Sequence, residues 1–406
     1  MVKKKRRAGR LRTKTSEAEE RPKVGLWRRL LRIIPAVFVT FLLVLLFSRL
    51  GVLHKLQTFV SDTMMRLNAP PAPSDVAIVD ITDEDYKEIF GGKSPLDAAK
   101  LRLLIDLIAR GNPKVIAVDI STSAEGFKEI GIDDRWPPVV WERDPLKVPE
   151  FEDEPPEALD VLGGRDPRLN DNSGMPLLFD DAEDGMTRRY RRLIKTADGS
   201  LLPSFPWAII SKFPTAKTSE LTASTDKYFI RYAGDAEGTH RFNLTASRLI
   251  ELSKGAGLPE DNPLKDRIVL LGGTYGDDDK HFTPLGRMDG IQVIAQVVET
   301  ELQGGGDKAP NHAAILLLEI FEGVLVILLF HAFHSLGFVK ATLLNLLSVL
   351  VIAVICSYLA FGSMSRATFF IPVLICVLIY EFAVEYRVEL VKKLSGITGG
   401  ESHDIH

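Results

Sequence analysis

The chain has 406 residues, 46% of them hydrophobic and 26% charged, with a formal net charge of −4. That length admits two or three domains and is ample for a buried core. The two cysteines, Cys356 and Cys376, both fall in apolar segments, which excludes a disulfide-stapled scaffold for the rest.

The charge is unevenly spread. Residues 1–32 carry 13 Lys/Arg against 3 Asp/Glu, a net of +10, and residues 54–311 carry 31 against 44, a net of −13. A basic tail ahead of an apolar run, with an acidic domain behind it, suits a cytoplasmic tail and an exported domain. A nucleic-acid arm is the rival reading of the tail. The apolar segment that follows directly argues against it, so no nucleic acid is expected as a partner.

Residues 1–32 form the basic tail, disordered at least to residue 25. Residues 33–53 read as a first transmembrane helix, an uncleaved signal anchor, because no small-x-small cleavage site follows Leu53. Residues 54–67 continue it as a stalk, ended by Pro70, Pro71 and Pro73. A strand is expected over 76–81, an amphipathic helix over 96–109 and a second strand over 114–120. Their order implies an adjacent parallel pair with a right-handed crossover. Residues 126–172, rich in Pro, Asp, Glu and Gly, read as a variable insertion. Further strands are expected over 175–179, 189–195 and 227–232, with a tight turn at Asp184-Gly185. Helices are expected over 202–212 and 245–252.

The stretch over 265–302 is the most informative. An apolar run over 268–271 reads as a buried strand broken by Gly272-Gly273, with Asp277, Asp278 and Asp279 in the loop beyond it. A Thr-Pro-Leu-Gly turn follows, then a helix over 291–302. In open α/β sheets, ligands sit beyond the carboxyl ends of the strands.

Three more apolar segments, over 313–330, 343–360 and 367–381, read as spans within residues 312–385, leaving 386–406 as a short cytoplasmic tail. The fold class expected is therefore an α/β extracytoplasmic domain over 54–311, with a mixed or mostly parallel sheet and flanking helices, plus an α-helical membrane region of four spans. Lys340, Lys392 and Lys393 agree with cytoplasmic N- and C-termini.

Asp80 and Asp119, each at a strand end, would converge with Asp278 and Asp279 on a carboxylate crevice suited to a divalent cation or a cationic ligand. The alternative is that they cap local turns, which is the preferred reading of each alone. No calcium-loop order, zinc spacing or nucleophile motif is present, so no metal, cofactor or catalytic residue is assigned. His281 and Thr283 border the same loop. Arg189, among Arg188, Arg191 and Arg192 around Tyr190, would clamp an anion or belong to a solvated face with acidic neighbours; on a half-exposed strand two of the four would face water and two would need partners or a ligand. Glu319 and Glu322, three residues apart in the second span, would couple the spans through protons or a partner.

The segments VAIVDITDEDY, LIARGNPKVIAVDI, DAEDGMTRRY and RIVLLGGTYGDDDKHFTPLGRMDGIQVIAQ together resemble the CHASE extracellular sensor domain of the second type. That domain occurs in bacterial receptors that carry cyclase or kinase output. The resemblance covers about residues 50–385. Three places depart from the family: GGKSPLDAAK before the first domain helix, Ile120-Ser121-Thr122 after Asp119, and residues 126–172. The resemblance implies sensing, with no defined ligand to carry over, and no output domain is expected in this chain. The reading is a multi-pass bacterial inner-membrane sensor, not an enzyme. It would contact membrane lipid, form homo-oligomers, bind an unknown extracytoplasmic ligand and signal to a separate cytoplasmic or membrane partner. The alternatives are an effector protein whose exported domain drives assembly, an exported metal-dependent hydrolase, and a truncated receptor.

Overall fold

The computed structural model describes residues 75–147, 149, 154–164, 167–181, 184–234, 242–254, 258–259, 261–277 and 279–308, with isolated positions before and after them. Its centre is a six-stranded sheet. In chain order the strands are β1 (Val76–Ile81), β2 (Val115–Asp119), β3 (Val139–Glu142), β4 (Ser173–Gly174), β10 (Asn243–Thr245) and β11 (Ile268–Gly273). They lie in the order β10-β1-β11-β2-β3-β4, and every pairing is parallel.

The three central strands are near-continuous apolar runs because both faces of a parallel sheet are covered. On one face, α2 (Ala98–Arg110) and α4 (Ala246–Ser253) cover Ala77, Val79, Ile116, Val118, Val269 and Leu271. On the other, α3 (Phe205–Lys212) and α5 (Gly290–Leu302) cover Val76, Ile78, Val115, Ala117, Ile268 and Leu270. A short helix, α1 (Asp83–Glu88), follows β1 and starts on a capping box between Thr82 and Asp85.

The remaining strands build an annex on α5. A three-stranded antiparallel sheet joins β5 (Phe179–Asp180), β6 (Thr187–Arg191) and β9 (Lys227–Phe229). Tyr190, Tyr228, Ile230 and Tyr232 pack there against Val293 and Val297 of α5. Two hairpins complete it: β7 (Leu193–Lys195) with β8 (Leu201–Pro203), and β12 (Lys280–Thr283) with β13 (Gly286–Asp289).

Several expectations need correction. Strands β1 and β2 are parallel but not adjacent, because β11, which arrives about 150 residues later along the chain, lies between them. The insertion expected over 126–172 contributes β3 to the main sheet. The strand expected over 189–195 is two, since β6 and β7 join different partners on either side of Arg192. Over 175–179, only Phe179 enters a strand, while Met175 makes a lone bridge to Ser204.

The four-span part of the expected fold class is corrected too: among the described residues no helix is long and apolar enough to cross a membrane. The longest of them, α2 and α5, have 13 residues each. At ~1.5 Å per residue they are roughly 20 Å long, against ~30 Å of bilayer hydrocarbon. The described fold is a mixed α/β domain with a parallel sheet. The segments over 33–53, 313–330, 343–360 and 367–381, with Glu319 and Glu322, lie outside the described residues, apart from isolated positions.

Candidate functional site

Register places a row of acidic residues along the carboxyl edge of the sheet. Asp80 of β1 and Asp119 of β2 both pair with Gly272 of β11. Residues in register on parallel strands face the same way, and alternation puts these on the side of Ile78, Ala117 and Leu270, beneath α5. Gly272 leaves an opening between the two carboxyls. A Cβ there would stand 2.7 Å from Ile291 Cδ1 and 3.0 Å from Asp119 Cβ, so any larger residue must displace the Ile291 side chain. Glu142 lies two residues beyond Val140, on the same face of β3.

Asp279 closes the row from above. Its backbone carbonyl accepts from the N–H of Gly290, the first residue of α5, at 2.9 Å. A helix N-terminus favours negative charge nearby, which suits this placement. His281 follows on β12. Its Nε2 lies 3.4 Å from Asp279 Oδ1 and its Nδ1 3.4 Å from Asp180 Oδ1. The Thr187 hydroxyl, 3.2 Å from Nδ1, also bonds Asp180. The imidazole thus joins the crevice to the β5–β6 hairpin.

The electrostatics follow from crowding. Burial raises the Asp119 carboxyl to about 8, helped by the charges of Asp279 and Asp144 and opposed by His281. Burial also lifts Glu142 well above its ordinary range, with Asp119, Asp144 and Asp279 adding to the effect. Asp80 is raised to about 6, by burial first and then by Asp85 and Asp289, while Asn243 and Thr274 oppose. Asp80 is only 8% exposed, and its Oδ1 has no hydrogen-bond partner among the described residues. For His281, burial favours the neutral ring, but Asp180 and Asp279 outweigh it and raise the group to about 9.

The other residues singled out from sequence have different places. Thr283 is buried and donates to the Gly286 carbonyl at 2.7 Å, holding the turn of the β12–β13 hairpin. Arg189 pairs with Asp181, away from the crevice. Asp277 pairs with Lys280 and Arg287. Asp278 lies outside the described residues.

Two of the four arginines around Tyr190, Arg188 and Arg192, are buried cations that organise the annex, and their partners were not identifiable from sequence. Arg188 holds Asp62, Asp181 and Asp184, each at 2.7 Å. Arg192 donates from Nε to Glu301 Oε1 at 2.8 Å and from Nη2 to Oε2 at 3.0 Å, and Tyr190 donates to the same Oε1. The signal available was an alternating Arg pattern in an acidic domain, which shows charge but not which carboxylates it meets. Glu142, Asp144 and Asp180 were also missed, since nothing local marks them.

The crevice can hold positive charge, accept hydrogen bonds and exchange protons. Among the described residues, no three His, Cys, Asp or Glu side chains stand close enough to hold a metal ion. In comparisons with known proteins, no curated protein and no solved structure matches the chain. The model of the CHASE2 domain family matches residues 38–336. With that match over most of its length, the chain belongs to the CHASE2 family of extracytoplasmic sensor domains.

Proposed function

We propose that this chain is the receiving half of a two-protein signalling device. Its domain reads an extracytoplasmic chemical condition at the carboxyl crevice and passes the change to a separate partner, without catalysing a reaction itself. A ligand shifts such a device only through its differential affinity for two arrangements. The crevice must therefore be tied to a part of the chain that can move a partner.

One observation carries this reading. A continuous set of polar contacts runs from Asp279 through His281 to Asp180 and Thr187, and the neighbouring Arg188 holds Asp62. Asp62 precedes the whole sheet in sequence. Arg66, on the same preceding segment, donates to the carbonyl of Pro284 in the β12–β13 turn. A change of charge in the crevice is thereby coupled to the segment ahead of β1.

The test is cross-linked affinity capture of the full-length protein from its native cells, with mass spectrometry of what accompanies it. One stoichiometric signalling protein is expected. Recovery of the chain alone, as a discrete large assembly, would overturn the reading in favour of an assembly protein.

A further inference from the structure

We propose that the crevice is a proton-binding site: Asp119 and Glu142 take up and release protons with external acidity, and His281 and the β12–β13 hairpin read the change. This names the ligand of the sensing site proposed above and rests on that reading for its biological consequence.

Asp119 ends β2 and Glu142 ends β3, neighbours in the sheet, and Asp144 follows Glu142 two residues later. The charged groups facing Asp119 are Asp279 from the loop after β11, Asp144 and Glu142 from the β3 edge, and His281 from β12. The start of α5 brings the uncharged Gly290 and Ile291 close to Gly272 and Asp279, while its N-cap Asp289 adds a carboxyl facing Asp279 and Asp80. Carboxyls thus outnumber the one histidine, which already meets Asp180 and Asp279. Neighbouring ionised carboxylates repel, and the cluster relieves this most directly by keeping protons.

Asp119 and Glu142 stand side by side on one face of the sheet, one step past the paired Val118 and Trp141. Two carboxylates so placed repel unless one keeps a proton. Across Gly272, Asp80 is nine-tenths buried, and its Oδ1 has no hydrogen-bond partner among the described residues. That position calls for a proton or a donor rather than a bare charge. Asp85 and Asp289 face it with charge, and Asn243 and Thr274 with hydrogen bonds. Burial and repulsion place the change in a useful range, with Asp119 raised to about 8 and Asp80 to about 6.

Release of these protons leaves several negative charges beside Asp279, against one imidazolium. His281 then rebalances between Asp279 and Asp180, its contacts at either end. The hairpin that carries His281 also touches the segment ahead of β1 through Pro284 and Arg66. The proton is therefore read where the domain meets the earlier chain.

The test uses the full-length protein, with the proton itself as the probe. Infrared difference spectra should show protonated-carboxyl bands that vanish with a midpoint near pH 8, and Asp119→Asn should remove that component. No change in protonated carboxyls between about pH 5 and about pH 9 in the unaltered protein would overturn the proposal. A second arm compares hydrogen exchange of residues 280–289 in the unaltered protein and in Asp119→Asn/Glu142→Gln, each rate corrected for intrinsic pH dependence. At about pH 9 the unaltered hairpin should exchange about tenfold faster than the variant's, and at about pH 5 the two should agree. Equal rates at both pH values would also overturn it. Partner capture without carboxyl titration would remove the proton and leave the sensing reading standing; titration without a partner would do the reverse.

Discussion

Arg188 and Asp62 are 126 residues apart in sequence, yet Nε and Nη2 of the arginine donate to Oδ1 and Oδ2 of the aspartate at 2.9 and 2.7 Å. This two-pronged pair fastens β6 to the segment ahead of the sheet. Both residues are buried. A buried pair of this kind adds little net stability, but removing one partner strands the other. Arg188→Met should cost about 3–5 kcal/mol, since it leaves Asp62, Asp181 and Asp184 without their shared cation. Asp62→Asn should cost clearly less, because two carboxylates still hold the arginine. Urea denaturation of the full-length protein measures both. Equal costs would mean that the carboxylates do not share the arginine as the geometry indicates.

The pH dependence of stability should fall, not rise, through the neutral range. His281 titrates at about 9 when folded and at 6.5 when unperturbed, so its stabilisation is complete below 6.5 and is lost as pH rises through 9. Asp119, raised from 3.8 to about 8, acts with the same sign: stability declines from above 3.8 until about 8. His281→Gln should flatten the upper part of the decline, worth on the order of 2–3 kcal/mol. Asp119→Asn should flatten the lower part. Denaturation midpoints across a pH series test this, and stability that rises over the same interval would refute both assignments.

Asp80 offers a stabilising substitution. Its carboxylate is disfavoured by burial, then by Asp85 and Asp289, and an amide of the same shape has no charge to strand. Asp80→Asn should leave stability unchanged below about pH 4 and raise it by about 1–2 kcal/mol above about pH 7. Thermal unfolding at the two pH values distinguishes the cases. Loss of stability at both would show that Oδ1 depends on a donor.

The opening above Gly272 is the steric counterpart. Gly272→Ala would press a methyl group against Ile291 Cδ1 and the Asp119 side chain. A cost of about 1–3 kcal/mol is expected for such overpacking. Trimming the neighbour with Ile291→Val should recover part of it. If the pair of changes is merely additive in equilibrium denaturation, the close approach of α5 to the sheet is not the cause.

The parts legible in sequence were those decided locally. β1, β2 and β11 announce themselves as buried apolar runs, and α2 and α5 as periodic apolar faces, the first stopped at Gly111-Asn112-Pro113. Asp80, Asp119 and Asp279 stood out because each lies where a strand gives way to a loop. What sequence did not show was non-local. Nothing in the stretch around Ile268 reveals that it inserts between β1 and β2, and only that insertion sets Gly272 between the two aspartates. β3 was hidden because its four residues follow Pro137-Pro138 within a polar stretch. Of the four arginines around Tyr190, two were expected to face water and two to need partners or a ligand, with no indication of which partners. Asp62 and Glu301, the partners of Arg188 and Arg192, are distant in sequence, and the ion pairs that bury these arginines leave no local trace.

The most direct measurement compares partner recovery by the unaltered chain and by Asp119→Asn/Glu142→Gln, each captured at about pH 5.5 and about pH 8.5. The account predicts a stoichiometric partner whose recovery, or whose cross-linked positions, change with pH for the unaltered chain and stay constant for the variant. Identical recovery and identical cross-links for both chains at both pH values would contradict it.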